Sequence, residues 1–159
     1  MVDFARLKKI IPAETQWVAE DPSQPDGPAF LLAPLFSAAW YRVRDTHLQD
    51  PWYQPLLEEQ RRQARARTIL LEPPPSLPIL QQQALDALEL ELNIEVTLAT
   101  VLLDWRGQTS DGAEVPYTKD VARENLQIEA FRDLIASLAP RPRQGPETAK
   151  NSGTASAGH

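Results

Sequence analysis

The placement of the prolines constrains this chain more than any other feature. Fifteen are present, and nearly all precede Leu80 or follow Ala139. Proline lacks the backbone N–H and clashes with the preceding helical turn, so long regular helix is confined to the middle of the sequence. The first half is interrupted repeatedly. At 159 residues the chain can form one domain with a real core and still leave some margin outside it.

Before the middle stretch the elements are short. Met1–Ile11 reads as an irregular arm with Phe4, Leu7, Ile10 and Ile11 apolar. Thr15–Ala19 and Ala29–Ala33 read as two strands joined through turn formers between Asp21 and Pro28, a small hairpin with a long loop. Leu35–Leu48 has Phe36, Ala39, Trp40 and Val43 at helical spacing, with Ser37 placed to cap it. A second helix runs to about Thr68, opened either by Pro55 or earlier at Asp50-Pro51 with a distortion at Pro55. Glu72–Ser76, with three consecutive prolines, is a stiff extended connector and an internal boundary.

Leu77–Trp105 is the strongest helical segment. At 100° per residue, Leu88, Leu92, Val96, Ala99 and Leu103 fall on one apolar stripe. Ala87, Leu90, Ile94, Leu98, Val101 and Trp105 form a second stripe, roughly opposite. Two stripes need two partners, one of which could be a second copy or another protein. On this reasoning Leu88, Leu92, Leu98 and Val101 are the expected client-binding or self-association face.

A motif follows. Gly107 is placed to end the long helix in left-handed conformation, and Asp111-Gly112 is a favoured turn dipeptide. Pro116 keeps the next helix from starting early, and Thr118 is a good N-cap with Asp120 in the first turn. Val121, Ile128, Phe131, Leu134, Ile135 and Leu138 then form one apolar face, which Pro140 ends. Trp105 and Tyr117 are the expected packing anchors. Together these elements describe a mainly α (α+β) domain over residues 1–140, with a small N-terminal β-hairpin, a helical bundle and one long central helix. Residues 141–159 form a Pro/Gly/Ser/Thr/Ala tail expected to be disordered.

Candidate chemistry is sparse. With no cysteine there is no disulfide framework, thiol catalysis or Cys-ligated metal. The two histidines are His47 and the terminal His159, so neither a two-His metal site nor a His relay is credible. His47 near Asp45 and Asp50 is the sole hint of a small hydrolase or metal enzyme, and a surface or packing role explains it better. No phosphate loop, nucleophile elbow or zincin pattern is present. The expectation is therefore no catalytic residue, no metal and no cofactor.

The net charge of −6 argues against a dedicated nucleic-acid binder. Residues from Arg141 onward carry a balance of +2, which leaves −8 on Met1–Pro140. The one basic run, Arg61-Arg62-Gln63-Ala64-Arg65-Ala66-Arg67, reads as a solvated helix face into which Glu58 and Glu59 pair. No apolar run is long enough to cross a bilayer and Met1–Phe4 does not open a signal peptide, so a cytoplasmic protein without membrane contact is expected.

The segment from Val101 through Gly107, with Asp111-Gly112, Val115-Pro116-Tyr117-Thr118 and Ala122 to Asp133, resembles the tail assembly chaperones of long-tailed siphophages and their prophages. The resemblance implies a non-enzymatic role in virion morphogenesis in the cytoplasm of a bacterial host. Its partners would be the tape measure protein, whose long apolar helices it would hold, and tail tube subunits, with homo-oligomerisation possible. An acidic exterior would keep such a complex dispersed. The alternative is a structural tail or head–tail junction component retained in the particle.

Overall fold

The computed structural model describes residues 14–142, so the expected arm over Met1–Ile11 and all but the first two residues of the expected tail lie outside it. Strands β1 (Gln16–Ala19) and β2 (Ala29–Leu32) form the expected antiparallel hairpin, in register from Gln16 opposite Leu32 to Ala19 opposite Ala29. Its loop is closed by Glu20 N–H donating to Pro28 O at 2.8 Å. Inside the loop, the Asp21 carboxylate accepts from both the amide and the hydroxyl of Ser23.

Helix α1 (Ala38–Leu48) starts where Ser37 Oγ accepts from Trp40 N–H. The two openings weighed for the next helix are both used. Asp50 caps a short 3-10 turn over Pro51–Tyr53, which runs straight into α2 (Gln54–Thr68) with Pro55 in its first turn. Proline is tolerated there because the first-turn N–H groups have no intrahelical partner.

Helix α3 spans Ile79–Thr100, and here the structure corrects the sequence reading. The expected helix to Trp105 stops five residues early, and Leu102–Arg106 forms strand β3. β3 pairs antiparallel with β2, placing Phe30 opposite Trp105 and Leu31 opposite Asp104, with a register shift before Leu32 meets Leu102. Ala33 N–H continues the pairing to Val101 O at 2.9 Å. The reason lies in β2. Ala29, Phe30 and Leu32 are fully buried, and a buried strand edge left without partners would strand its backbone N–H and C=O groups. The sheet therefore has three strands in the order β1-β2-β3.

A two-residue turn joins the short strands β4 (Thr109–Ser110) and β5 (Ala113–Glu114). The expected single C-terminal helix is instead two, α4 (Lys119–Leu126) and α5 (Glu129–Leu138). The Arg132 guanidinium donates to Leu126 O at 2.8 Å and Gln127 O at 2.9 Å, satisfying carbonyls that end α4. The break leaves Ile128 exposed rather than on the apolar face, while Leu126 and Ile135 both enter the core.

That core lies between the sheet and the C-terminal half of α3, with Phe30, Leu32, Leu92, Val96, Leu102 and Leu126 among its fully or nearly fully enclosed side chains. α1, α2, α4 and β3 all pack against α3. Ion pairs mark two of these seams: Arg44 of α1 with Glu89 at 2.7 Å, and Arg123 of α4 with Glu95 at 2.5 Å. The mainly α (α+β) architecture with a small N-terminal hairpin and one long helix is the observed one.

Candidate functional site

The motif expected to set the angle between two helices joins a strand to a helix through a hairpin. Trp105, on β3, is buried, and its indole N–H donates to Val115 O at 2.8 Å, tying the strand to the chain that leaves β5. Tyr117 stacks edge-on against Trp105 at 5.1 Å between ring centroids, and its hydroxyl donates to Leu102 O at 2.9 Å. Phe131 of α5 meets both Trp105 and Phe30 edge-on. Such T-shaped contacts suit the ring quadrupoles. Trp105 and Tyr117 thus join β3 to the segment after β5 by ring packing and by hydrogen bonds to backbone acceptors.

Gly107 has φ +69, as expected of a residue in left-handed conformation, but it follows a strand and not a helix. A Cβ there would lie 3.2 Å from Pro28 Cα, so the glycine also lets the β3 exit pass close to the hairpin loop. Gly112 (φ +80) and Asp111 (φ +51) form the β4–β5 turn, with open space around Gly112. Left-handed conformation disfavours an L-residue by about 1–2 kcal/mol. Gly107→Ala is expected to destabilise the domain by more than Gly112→Ala, since only the first adds a steric contact to the conformational term. Equal urea midpoints for the two variants would remove the Pro28 contact from the account.

Thr118 Oγ1 accepts from Val121 N–H at 3.1 Å, the expected cap of α4, and Asp120 in that first turn pairs with Arg123. Pro116 is exposed between Val115 and Tyr117.

The titration of Tyr117 gives the motif a pH signature. Burial, and secondarily the charge of Asp104, raises its pKa above the ordinary tyrosine value. Tyr53 is raised as well, by burial and then by Glu91, Glu95 and Asp50. A folded pKa above the unfolded one means that this stability is fully present below pH about 10 and is lost as pH rises through the folded value. Tyr117→Phe should lower stability by about 0.5–1.5 kcal/mol at neutral pH through the lost hydrogen bond. It should also flatten the alkaline fall, leaving the part due to Tyr53. Urea titrations between neutral pH and strong alkali would measure both, and an unchanged alkaline slope would exclude Tyr117 as a contributor.

The proposed client face fares differently. Leu92 and Val101 are fully buried, Leu98 is 3 % exposed and Leu88 is half-buried against the core. Much of both apolar stripes of α3 is covered from within the chain, and of these four residues only Leu88 keeps part of its surface open in the folded domain. Periodicity identified them as apolar but carried no information about what would cover them.

Two hollows border these elements. One of about 370 Å3 is lined by Trp105, Gln108, Val115, Val121, Asn125 and Phe131, with Thr109 and Ser110 at its side. No acid or base lines it, although the buried Gln108 amide nitrogen has no protein partner. The other, about 140 Å3 between α3 and α5, is apolar apart from Asn93, Thr97 and Arg132. His47 is half-buried, and no cluster of three or more His, Cys, Asp or Glu occurs among the described residues. No described helix is long and apolar enough to cross a membrane.

Sequence reasoning missed Arg132, whose capping role depends on a chain break that only the fold creates. It also missed Ile69, Leu70 and Leu71, which follow directly after a correctly placed helix end. Their signal was available as a run of three large aliphatics beside a polyproline connector.

A junction built from turns, caps and interlocked rings, in a small α+β domain, identifies a family more readily than a reaction. The family model described as YdaY prophage protein matches residues 48–152, about two thirds of the chain, and the protein belongs to that family. The matched stretch includes α2, α3 and the whole motif, while β1, β2 and nearly all of α1 precede it. No curated protein and no solved structure matches the chain.

Proposed function

We propose that this protein is a non-enzymatic tail assembly chaperone, acting in the cytoplasm of a bacterial host on a tape measure protein and on tail tube subunits. One observation carries the reading. The prophage family match spans the residues whose pattern resembles the siphophage tail assembly chaperones, from Val101 to Asp133. The make-up of the motif agrees with it: Trp105, Tyr117 and Thr118 hold backbone and rings in place, and no acid or base lines the hollow beside them. The acidic chain also suits a protein that keeps a sticky client dispersed.

Co-expression with the proteins encoded beside it, followed by affinity capture of the full chain, tests the proposal through any long, helical, tape-measure-like neighbour. The neighbour should be captured and should move from the insoluble to the soluble fraction. Absence of both effects overturns the reading. Stoichiometric recovery of this protein in purified particles would replace it with that of a structural tail or head–tail junction component.

A further inference from the structure

Ten large apolar side chains are well exposed among the described residues, and five of them fall within twelve consecutive positions: Ile69, Leu70, Leu71, Ile79 and Leu80. They occupy the end of α2, the connector and the first residues of α3. From Arg67 to Ala84 only Pro74 and Leu77 are even half-buried. Isolated apolar side chains in solvent are ordinary on a folded domain, but a concentration of this kind in one short stretch is not.

Leu71 stands out. Its φ of +53 is the left-handed conformation in which glycine or asparagine normally follows a helix, and its side chain is 81 % exposed. The fold holds a strained leucine in solvent where glycine would be more stable. Folding alone does not explain that choice, and such outliers cluster at functional sites.

Charge narrows the occupant. Arg62 is paired with Glu59, whereas Arg61, Arg65 and Arg67 have no ion-pair partner among the described residues. All three are exposed in the second half of α2. The first turn of α3 carries no acid, which leaves Glu72 as the one acidic residue between α2 and that turn. An apolar surface beside three unpaired arginines, on a chain of net charge −6, is complementary to an apolar segment bordered by carboxylates. A second copy set symmetrically on the same surface would bring the two arginine groups together. An anionic membrane would meet the acidic remainder of the domain, and no Trp or Tyr lies in this stretch to seat at a lipid interface.

We propose that the α2–α3 turn, with Leu71 at its centre and Arg61, Arg65 and Arg67 beside it, is a docking surface for an apolar helix of a partner protein flanked by acidic residues. This goes beyond the assembly-chaperone reading and does not depend on it, since it specifies the chemistry of the partner segment and not its identity. The probe is a pair of amphipathic peptides of about 18 residues, long enough to form helix, with the same leucine face and either Glu or Lys beside it. Titrated against the full chain by fluorescence anisotropy, the Glu peptide should bind at least tenfold more tightly than the Lys peptide. Added salt should reduce that preference, and the double variant Arg65→Gln, Arg67→Gln should remove most of it.

Leu71→Gly should weaken binding at least fivefold while raising Tm by about 2–5 °C through the relief of backbone strain. A merely structural Leu71 would not move the two readings in opposite directions. The proposal is overturned by equal affinity for the two peptides, or by no binding of either at about 100 μM. It is also overturned by a dimer that Leu71→Gly abolishes, or by co-flotation with phosphatidylcholine–phosphatidylserine vesicles. The capture experiment of the preceding section can fail while this one succeeds, and the reverse, so the two are judged separately.

Discussion

Leu92→Asp is expected to abolish the folded state. Leu92 is fully enclosed in the hydrophobic core, and two arginines beside its helix, Arg44 and Arg123, are already paired with Glu89 and Glu95. Shortening the side chain alone, as in Leu92→Ala, forfeits about 2–5 kcal/mol from lost contacts and an unfilled cavity. A carboxylate adds an unpaired buried charge worth several kcal/mol more, against a total stability of about 5–15 kcal/mol for a domain of ordinary size. The expected result is loss of the cooperative urea transition and of the near-ultraviolet signal of the tryptophans. The same substitution at Leu80, which is 80 % exposed, should leave stability within about 0.5 kcal/mol. If Leu92→Asp instead folds with a near-normal midpoint, this side of α3 faces outward and the core assignment fails. A binding defect measured in Leu92→Asp would therefore report unfolding, not a damaged client surface.

The second large effect is expected at Trp105. Trp105→Ala removes the ring that touches Tyr117 and Phe131 and should destabilise the domain by about 3–5 kcal/mol. Trp105→Phe keeps a ring in place but loses the indole N–H, leaving Val115 O without its donor at a penalty of about 1–3 kcal/mol. The order wild type, Trp105→Phe, Trp105→Ala should appear in urea midpoints. A loss below about 1 kcal/mol for Trp105→Ala would mean that the strand and hairpin are held by contacts other than this ring.

Much of the fold was legible because its cues are local. Ser37 and Thr118 each cap the helix that follows by accepting from the N–H three residues on, Asp111-Gly112 makes the turn that its backbone preferences dictate, and the Asp21–Pro28 turn formers place the hairpin. Legibility stopped at Val101. The apolar residues from there to Trp105 continue the helical period as well as they suit a strand, and a period cannot arbitrate between the two. Likewise Val121 through Leu138 keep one helical stripe although the chain breaks at Gln127 and Ile128, because the Arg132 contacts that settle the break exist only after folding.

The motif shows the same division. Gly107 was marked by sequence as a left-handed residue, and so it is, but the neighbour that makes a side chain intolerable there is Pro28, nearly eighty positions away. The stripes of α3 were assigned correctly as apolar, yet three of the four residues offered as a client face are inside the protein.

By itself the sequence determined what depends on a few neighbouring residues: the helix starts, the turns, the hairpin, the proline-limited reach of α3 and the family-like motif. Tertiary structure alone decided where α3 ends, which of its faces are covered and which aliphatics remain in water. The physical reason is that a buried strand edge must find hydrogen-bond partners wherever the chain can supply them. β2 drew Leu102–Arg106 out of the helix to meet that need, and the closed core left the exposed apolar surface at the α2–α3 turn.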